Sequence, residues 1–404
     1  MKQPIMKYLS KISFAVGIGI TLFSFGCEQK QKTEDQTFKT PNSANKRDIS
    51  TAKAEVQLDK IKLPENFKIE VWAADIPNAR EMTISEDGIV FVGSRQEGSV
   101  FAVIDEDGDG KADTKFTLAE DLQMPNGVAY KDGDLYVAEI SRILRFKDIK
   151  NNLNNPNYEV VYDGYPTENH HGQKFIAFGP DGKLYVPIGA PCNICEPEKE
   201  IFASITRLDV DSPNPTPEIV AHGVRNSVGF DGDPKAGDMW FTDNGLDMLG
   251  DDVPNCELNH ISEAGQHFGY PYWHEGTVKD PEFGDKGGPA SDYVAPAAKL
   301  GAHVAPLGMR FYEGGMFPAE YKNQVIIAKH GSWNRSKKSG YVVTSLTVDG
   351  SSATGEKEFA SGWLDEEAQE AWGRPVDVQE MKDGSLLISD DMAGVIYRVT
   401  YSAK

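Results

Sequence analysis

The sequence predicts an all-β fold: a six-bladed β-propeller of four-stranded antiparallel blades. Three observations lead there. A unit of apolar strand, Asp-Gly-type turn and second apolar strand recurs six times along the chain. Helical periodicity is nearly absent. The copies are spaced at roughly 55–60 residues, which suits four-stranded blades around an axis better than a sandwich.

The amino terminus stands apart from this pattern. "MKQPIMKYLSK" gives a positive start, and "ISFAVGIGITLFSFG" is an apolar run too short and Gly-rich for a comfortable membrane span. It stops at Cys27, where the chain turns polar with "EQKQKTEDQ". Residues 1–26 therefore read as a lipoprotein-type signal with Cys27 as the lipidated residue, although "SFGC" lacks the usual Leu three positions before the cysteine. Such a chain is exported and anchored by lipid to a bacterial membrane, facing the periplasm or the outside. Residues 27–60 are polar and nearly free of aromatics, as in a flexible tether. The propeller is expected over 61–404, with order beginning near "IKLPENFKIEVWA".

The six copies follow in order. "EMTISEDGIVFVGSRQEGSVFAVID" is the first, followed by "NGVAYKDGDLYVAEISRILRF" and "FIAFGPDGKLYVPIG". "SVGFDGDPKAGDMWFTDNG" has a longer turn, and "LGMRFYEGGMFPAEYKNQVIIAKHG" is stretched further. "PVDVQEMKDGSLLISDDMAGVIYRVTY" closes the series. Each alternates apolar and polar residues around a tight turn, the mark of a hairpin with one face buried.

Charge and cysteine content narrow the function. The full chain carries a net charge of −21, and removing the three lysines of residues 1–26, which hold no acids, leaves −24. So acidic a chain is unsuited to binding nucleic acid by charge. Three cysteines follow Cys27: Cys192 and Cys195 in a C-x-x-C, and Cys256. In an exported protein a Cys192–Cys195 or a Cys195–Cys256 bridge can persist. No His follows Cys195, which removes the c-type haem pattern, and three thiols do not make a structural zinc site.

His170 and His171 stand just before the third repeat and belong to neither of its strands. In a propeller the entrance of an inner strand faces the axis, where ligands bind. Polar residues recur at that place elsewhere: Arg225 and Asn226 before the fourth inner strand, His303 before the fifth and Arg374 before the sixth. Lys329 and Arg335 follow a strand of the fifth copy. A ring of such cations suits a small polyanion, because guanidinium forks pair with carboxylates in bidentate fashion.

On "HHGQKFIAFGPDGKLYVPIG", "HGVRNSVGF", "DNG…CELNHI…GQHFGYPYW" and "GSWNRS", the chain resembles the soluble quinoprotein sugar dehydrogenases over about residues 60–402. These are six-bladed propellers that bind pyrroloquinoline quinone (PQQ) and calcium, and the glucose/sorbosone dehydrogenase branch is the most similar. The resemblance implies PQQ- and calcium-dependent oxidation of a sugar or sugar aldehyde. His171 would be the general base, and Arg225, Asn226, His303 and Arg374 would bind the cofactor, with Lys329 and Arg335 competing for a lysine position. The backbone carbonyls of Gly245 and Leu246 would hold the catalytic calcium. A neutral histidine suits proton removal as hydride leaves.

The chain departs from that pattern at Ala190, which follows Gly189 where the glucose enzymes carry an acid that orients the histidine. Another group must orient His171, or the base is weaker. The Gly245–Glu257 loop is also longer than theirs. A calcium-dependent lactonase and a non-catalytic carbohydrate-binding propeller are the rival readings. Separately, "DEDGDGKAD" sets Asp105, Asp107, Asp109 and Asp113 around two glycines, like a calcium loop without its terminal Glu or like an acidic turn.

Overall fold

A computed structural model describes residues 45–403. The signal segment, Cys27 and the first part of the expected tether lie outside the described residues. No described helix is long and apolar enough to cross a membrane.

Six antiparallel sheets form the blades of a propeller, as the repeats predict. The inner strands are Ala79–Ile84, Gly127–Lys131, Ala177–Phe178, Phe230–Gly232, Pro306–Phe311 and Pro375–Glu380. Four blades have the expected four strands, while the first and third have five. In the first, Lys46–Asp48 pairs outside Thr114–Ala119, so part of the expected tether lies on the propeller. In the third, Gln266–His267 adds in parallel beside Glu218–His222. Both additions cover an outer edge that would otherwise offer unpaired backbone groups.

The ring closes between the two ends of the described chain. Phe67–Ala73 is the outer strand of the sixth blade and pairs with Val395–Tyr401. Phe67 packs edge-on against Phe317 of the fifth blade at 4.8 Å and Phe359 at 5.3 Å. Such aromatic pairs contribute roughly 0.5–1.5 kcal/mol each beyond their area, so closure rests on packing between blades as well as on the strand ladder.

Second strands such as Val90–Ser94 and Leu184–Ile188 are buried along their whole length, because both faces meet a neighbouring blade. Nearer the axis, buried carboxylates fasten one blade to another. Glu81 accepts the N–H groups of Val128 (3.2 Å) and Ile176 (3.0 Å), Asp377 that of Met82 (2.8 Å), and Asp231 that of Phe311 (2.9 Å). Burial, and then the Asp377 charge, raise the Glu81 carboxyl well above its usual range, while the Arg310 charge opposes this. These bonds satisfy backbone donors on or beside the inner strands, whose free edge has no further strand to pair with.

Candidate functional site

Inner-strand entrances converge at one end of the axis on a cavity of about 260 Å³. Its wall includes Arg80 and Arg95 from the first blade, His170 and His171 before the third, and Arg225 and Asn226 before the fourth. Asn244, Gly245, His303, His330 and Trp333 complete the polar side, and Asp247 is the only carboxylate among the described lining residues.

His171 is held in a left-handed backbone conformation (φ 49°). Its Nδ1 lies 2.9 Å from the carbonyl oxygen of Ala190. That carbonyl can only accept, so Nδ1 carries the proton and Nε2 is the acceptor of the ring. Burial, then the charges of Arg225 and His170, push its pKa down to about 2 against the pull of the Ala190 carbonyl. The main-chain carbonyl at Ala190 thus does the orienting that its methyl side chain cannot. Gly189 makes room for this arrangement. A Cβ there would meet the His171 Cβ at 2.5 Å and its carbonyl oxygen at 2.8 Å. His170 lies beside His171 with ring centroids 4.1 Å apart and the planes tilted by 59°, and is bonded to the backbone of Cys192.

The cations differ in how far they are already committed. Arg225 is buried and its donors are in use: Nε to Asn193 O (3.0 Å), Nη1 to Asn244 O (3.1 Å), and Nη2 to Asn193 Oδ1 (2.7 Å) and Asp247 Oδ2 (2.9 Å). The fork expected to clasp a ligand instead clasps the protein. Arg95 is the opposite case. Its buried Nε has no hydrogen-bond partner among the described residues. Burial, then the Arg80 charge, lower its pKa. Gln173 Oε1, also at the wall, is likewise unpartnered. Buried polar groups in folded proteins seldom go unbonded, so these two side chains, unlike Arg225, are not fully committed to the protein.

Three expected cofactor residues lie outside the cavity wall. Arg374 stands one layer behind it, bonded through Nε (3.1 Å) to Asp391. Asp391 also takes Arg80 Nη1 at 3.0 Å and His330 Nε2 at 3.1 Å. Burial would raise its carboxyl, but the His330 bond and the charges of His330, Arg80 and Arg374 hold it far below the usual range. Lys329 and Arg335 border a separate cavity of about 450 Å³. Lys329 binds the Leu300 carbonyl (2.7 Å) and Glu356, and Arg335 binds Asp252 (2.6 Å). Neighbouring positions on an extended chain face opposite ways, which is why His330 reaches the axis and Lys329 does not. His303 does line the cavity, with Nε2 2.6 Å from the Gly250 carbonyl.

Gly245 borders both the main cavity and a much smaller one, about 10 Å³, shared with Leu246, Asp243 and Glu257. Burial, then the Asp243 charge, raise the Glu257 carboxyl to about 8, and burial raises Asp243 to about 6. The carboxylates of Asp243 and Glu257 beside Gly245 and Leu246 bring together oxygen groups of the kind a hard cation takes, on a wall shared with Arg225 and His274. The residues therefore fit calcium at the Gly245–Leu246 carbonyls.

The acidic loop of the first blade is only partly gathered. Carboxylate oxygens of Asp105, Asp107 and Asp109 lie within 4.8 Å of one another. Asp113 is outside that group, and its carboxylate accepts the Glu106 N–H at 2.7 Å. Asp105 accepts the N–H groups of Gly108 (2.7 Å) and Gly110 (2.9 Å), which is Asx-turn bonding. None of the four lines the central cavity. Of the two expected bridges, Cys192–Cys195 is formed, and Cys256 is free and buried.

Residues 53–400 match the family described as a domain of unknown function, DUF7133. The chain belongs to the DUF7133 family. An uncharacterized protein of Borreliella burgdorferi is 37% identical over 365 residues, covering 87% of this chain and 93% of that one. This DUF7133 member also shares its fold with solved sugar dehydrogenases. The holo PQQ domain of pyranose dehydrogenase from Coprinopsis cinerea has TM-score 0.71 at 19% identity, covering 84% of this chain and 97% of that one. A calcium structure of a Trichoderma reesei carbohydrate-active enzyme of family AA12 has TM-score 0.72 at 19% identity, covering 85% and 97%. PQQ-bound aldose sugar dehydrogenase from Streptomyces coelicolor has TM-score 0.59 at 20% identity, covering 84% and 100%.

Arg80, Arg95, Gln173, Asn244, His330 and Asp391 were not legible as site residues from sequence. Arg80 and Arg95 sit in "NAREMTI" and "VGSRQEG", which read as ordinary strand and turn. The rule that picked out Arg225, applied to the first copy, would have reached Arg80.

Proposed function

We propose that this protein oxidises a sugar or sugar aldehyde with PQQ and calcium, using His171 as general base. The observation that carries the reading is the neutral His171, its proton held on Nδ1 by Ala190, in a cavity whose Arg95 has an unsatisfied buried donor. Holo and PQQ-bound sugar dehydrogenases of the same fold support it. Bound there, the quinone would accept hydride while calcium polarised its carbonyl.

The chain's own residues supply the rest. Arg95 binds a carboxylate at the wall, and Arg80, buried and bonded to Asn126 and Asp391, adds positive charge behind it. Gly245 and Leu246 hold the metal through their carbonyls, and Asn226 and His303 border the same space. His171 Nε2 takes the substrate hydroxyl proton. Trp333, 72% exposed at the cavity, offers a flat apolar face to a sugar ring. The acidic surface leaves nucleic acid out, and the electron acceptor is a separate partner. Export and lipid anchoring through Cys27 complete the proposal, and the Cys192–Cys195 bridge suits the oxidising compartment it implies.

The test is to titrate metal-free and calcium-loaded protein with PQQ, following quinone absorbance, and then to assay dye reduction with a panel of sugars. Saturable binding that tightens with calcium, and sugar-dependent reduction, are expected. No saturable binding with calcium present overturns the dehydrogenase reading. Calcium-dependent lactone hydrolysis that ignores PQQ would point to the lactonase.

A further inference from the structure

The C-x-x-C segment lies against the cavity wall rather than in the general fold. Cys192 and Cys195 are bridged, both half-buried, and close a ring that contains Asn193 and Ile194. Tyr270 anchors the ring from below. Its hydroxyl accepts the Cys195 N–H at 3.0 Å and lies 3.4 Å from Cys192 Sγ. Ile194 packs against buried Ala190, Ala203 and Tyr270.

Asn193 is the point of this ring. Its carbonyl oxygen accepts Arg225 Nε at 3.0 Å, and its Oδ1 accepts Arg225 Nη2 at 2.7 Å. Oδ1 also takes the Asp247 N–H at 3.1 Å, while Nδ2 donates to the Asp247 carbonyl at 3.0 Å. One residue thus satisfies two guanidinium donors and both backbone groups of the single carboxylate residue at the cavity wall. Asp247 Oδ2 then pairs with Arg225 at 2.9 Å. A short closed ring holds the main-chain and side-chain oxygens of one residue toward the same guanidinium. In an open segment both would have to be ordered at entropic cost.

We propose that the Cys192–Cys195 clip is a redox-sensitive positioning device: through Asn193 it fixes Arg225 and Asp247 at the cavity wall, and its reduction weakens anion binding there. The reductant is a dithiol. One of its sulfurs attacks the bridge to give a mixed disulfide, and its second sulfur displaces the protein thiol. Two electrons and two protons pass to the protein, which ends with two thiols, and the dithiol leaves as its own disulfide. Both half-buried cysteines are within reach of such a small reagent. With the ring open, Asn193 no longer holds the fork, Arg225 can leave Asp247, and an unpaired carboxylate stands at the wall against an anionic ligand. The consequence for quinone binding rests on the dehydrogenase reading; the loosening of Arg225 does not.

The experiment compares oxidised and dithiol-reduced protein, with the redox state fixed by mass. Hydrogen exchange at Arg225 Nε is followed by NMR of the guanidinium, and PQQ is titrated into both forms with calcium present. Reduction should speed Nε exchange by roughly tenfold or more and weaken PQQ binding by roughly tenfold. Asn193→Ala should reproduce both effects with the bridge intact, and Tyr270→Phe should give a smaller version of them. Unchanged exchange in fully reduced protein overturns the proposal, as does faster exchange with PQQ binding unchanged or tighter. If neither form binds PQQ, the dehydrogenase reading falls and Arg225 exchange alone decides the clip.

Discussion

The Nδ1 of His171 and the carbonyl oxygen of Ala190 stand 2.9 Å apart, and this bond sets the tautomer of the proposed base. A carboxylate in that place would strongly favour a charged imidazolium; a neutral carbonyl orients the ring while pulling the pKa up less. Burial and the Arg225 charge outweigh that pull, so the ring stays neutral with the Nε2 lone pair free.

His171→Gln should therefore lower sugar-dependent dye reduction by roughly 10²–10⁴, the usual cost of a lost general base. PQQ affinity should change little. His170→Ala should cost far less, because His170 reaches the Cys192 backbone and supports its neighbour. Steady-state rates beside quinone titrations check this, and a larger loss at His170 would reassign the base.

Gly189→Ala tests the cradle. The added Cβ would lie 2.5 Å from the His171 Cβ, and 2.8 Å and 3.4 Å from the backbone carbonyl oxygens of His171 and Arg225. Since Ala190 N–H also binds Arg225 O at 2.8 Å, the strand end cannot simply retreat. Overpacking of this kind typically costs roughly 1–3 kcal/mol. Chemical denaturation should show that loss, together with a fall in turnover larger than the fall in PQQ affinity.

How much of this was written in the sequence varies by element. The hairpins announce themselves, because Asp87-Gly88, Asp132-Gly133 and Asp181-Gly182 turn between strands with a buried face. Ring closure does not. Phe67–Ala73 looks like any apolar strand, and its partner at Val395–Tyr401 follows from the geometry of six blades. Lys46–Asp48 is exposed throughout, so it carries no hydrophobic pattern to read. At the site, position relative to the inner strands located His171, Arg225, Asn226 and His303. Commitment did not show: Arg225 is spent on Asn193 and Asp247, and only coordinates reveal that Arg95 is not. His330 carried no signal beside Lys329, since one residue along an extended chain reverses the facing side and puts the two at different cavities.

The depressed pKa of His171 has a consequence for stability. The ordinary imidazole value is 6.5, and the folded value is pushed down to about 2. Between those limits the unfolded chain binds a proton that the native state refuses, so stability falls as pH drops below about 6.5. The gap between wild type and His171→Gln should shift in favour of the variant between pH 7.5 and 5, measured as urea midpoints. A bound tricarboxylate offsets the Arg225 charge and should raise the His171 pKa, visible as a new imidazole titration by NMR. Identical pH slopes in the two proteins would mean that the His171 pKa is the same in the folded and unfolded chain.

The last prediction separates the cations. Arg95 holds a buried Nε without a partner, whereas Arg374 is bonded to Asp391 and lies behind the wall. A charge-assisted pair contributes roughly 1.5–3 kcal/mol, so Arg95→Ala should weaken PQQ binding by about one to two orders of magnitude. Arg95→Lys should recover part of that, because a point charge cannot reproduce the fork. Arg374→Ala removes one of three partners of Asp391 and should act indirectly, with a smaller loss. Lys329→Ala and Arg335→Ala should leave PQQ affinity unchanged, since both side chains face a different cavity. Quinone titration of the five variants orders them. Equal losses at Arg95 and Arg335 would mean that the ligand reaches past Trp333 from the central cavity into the second one.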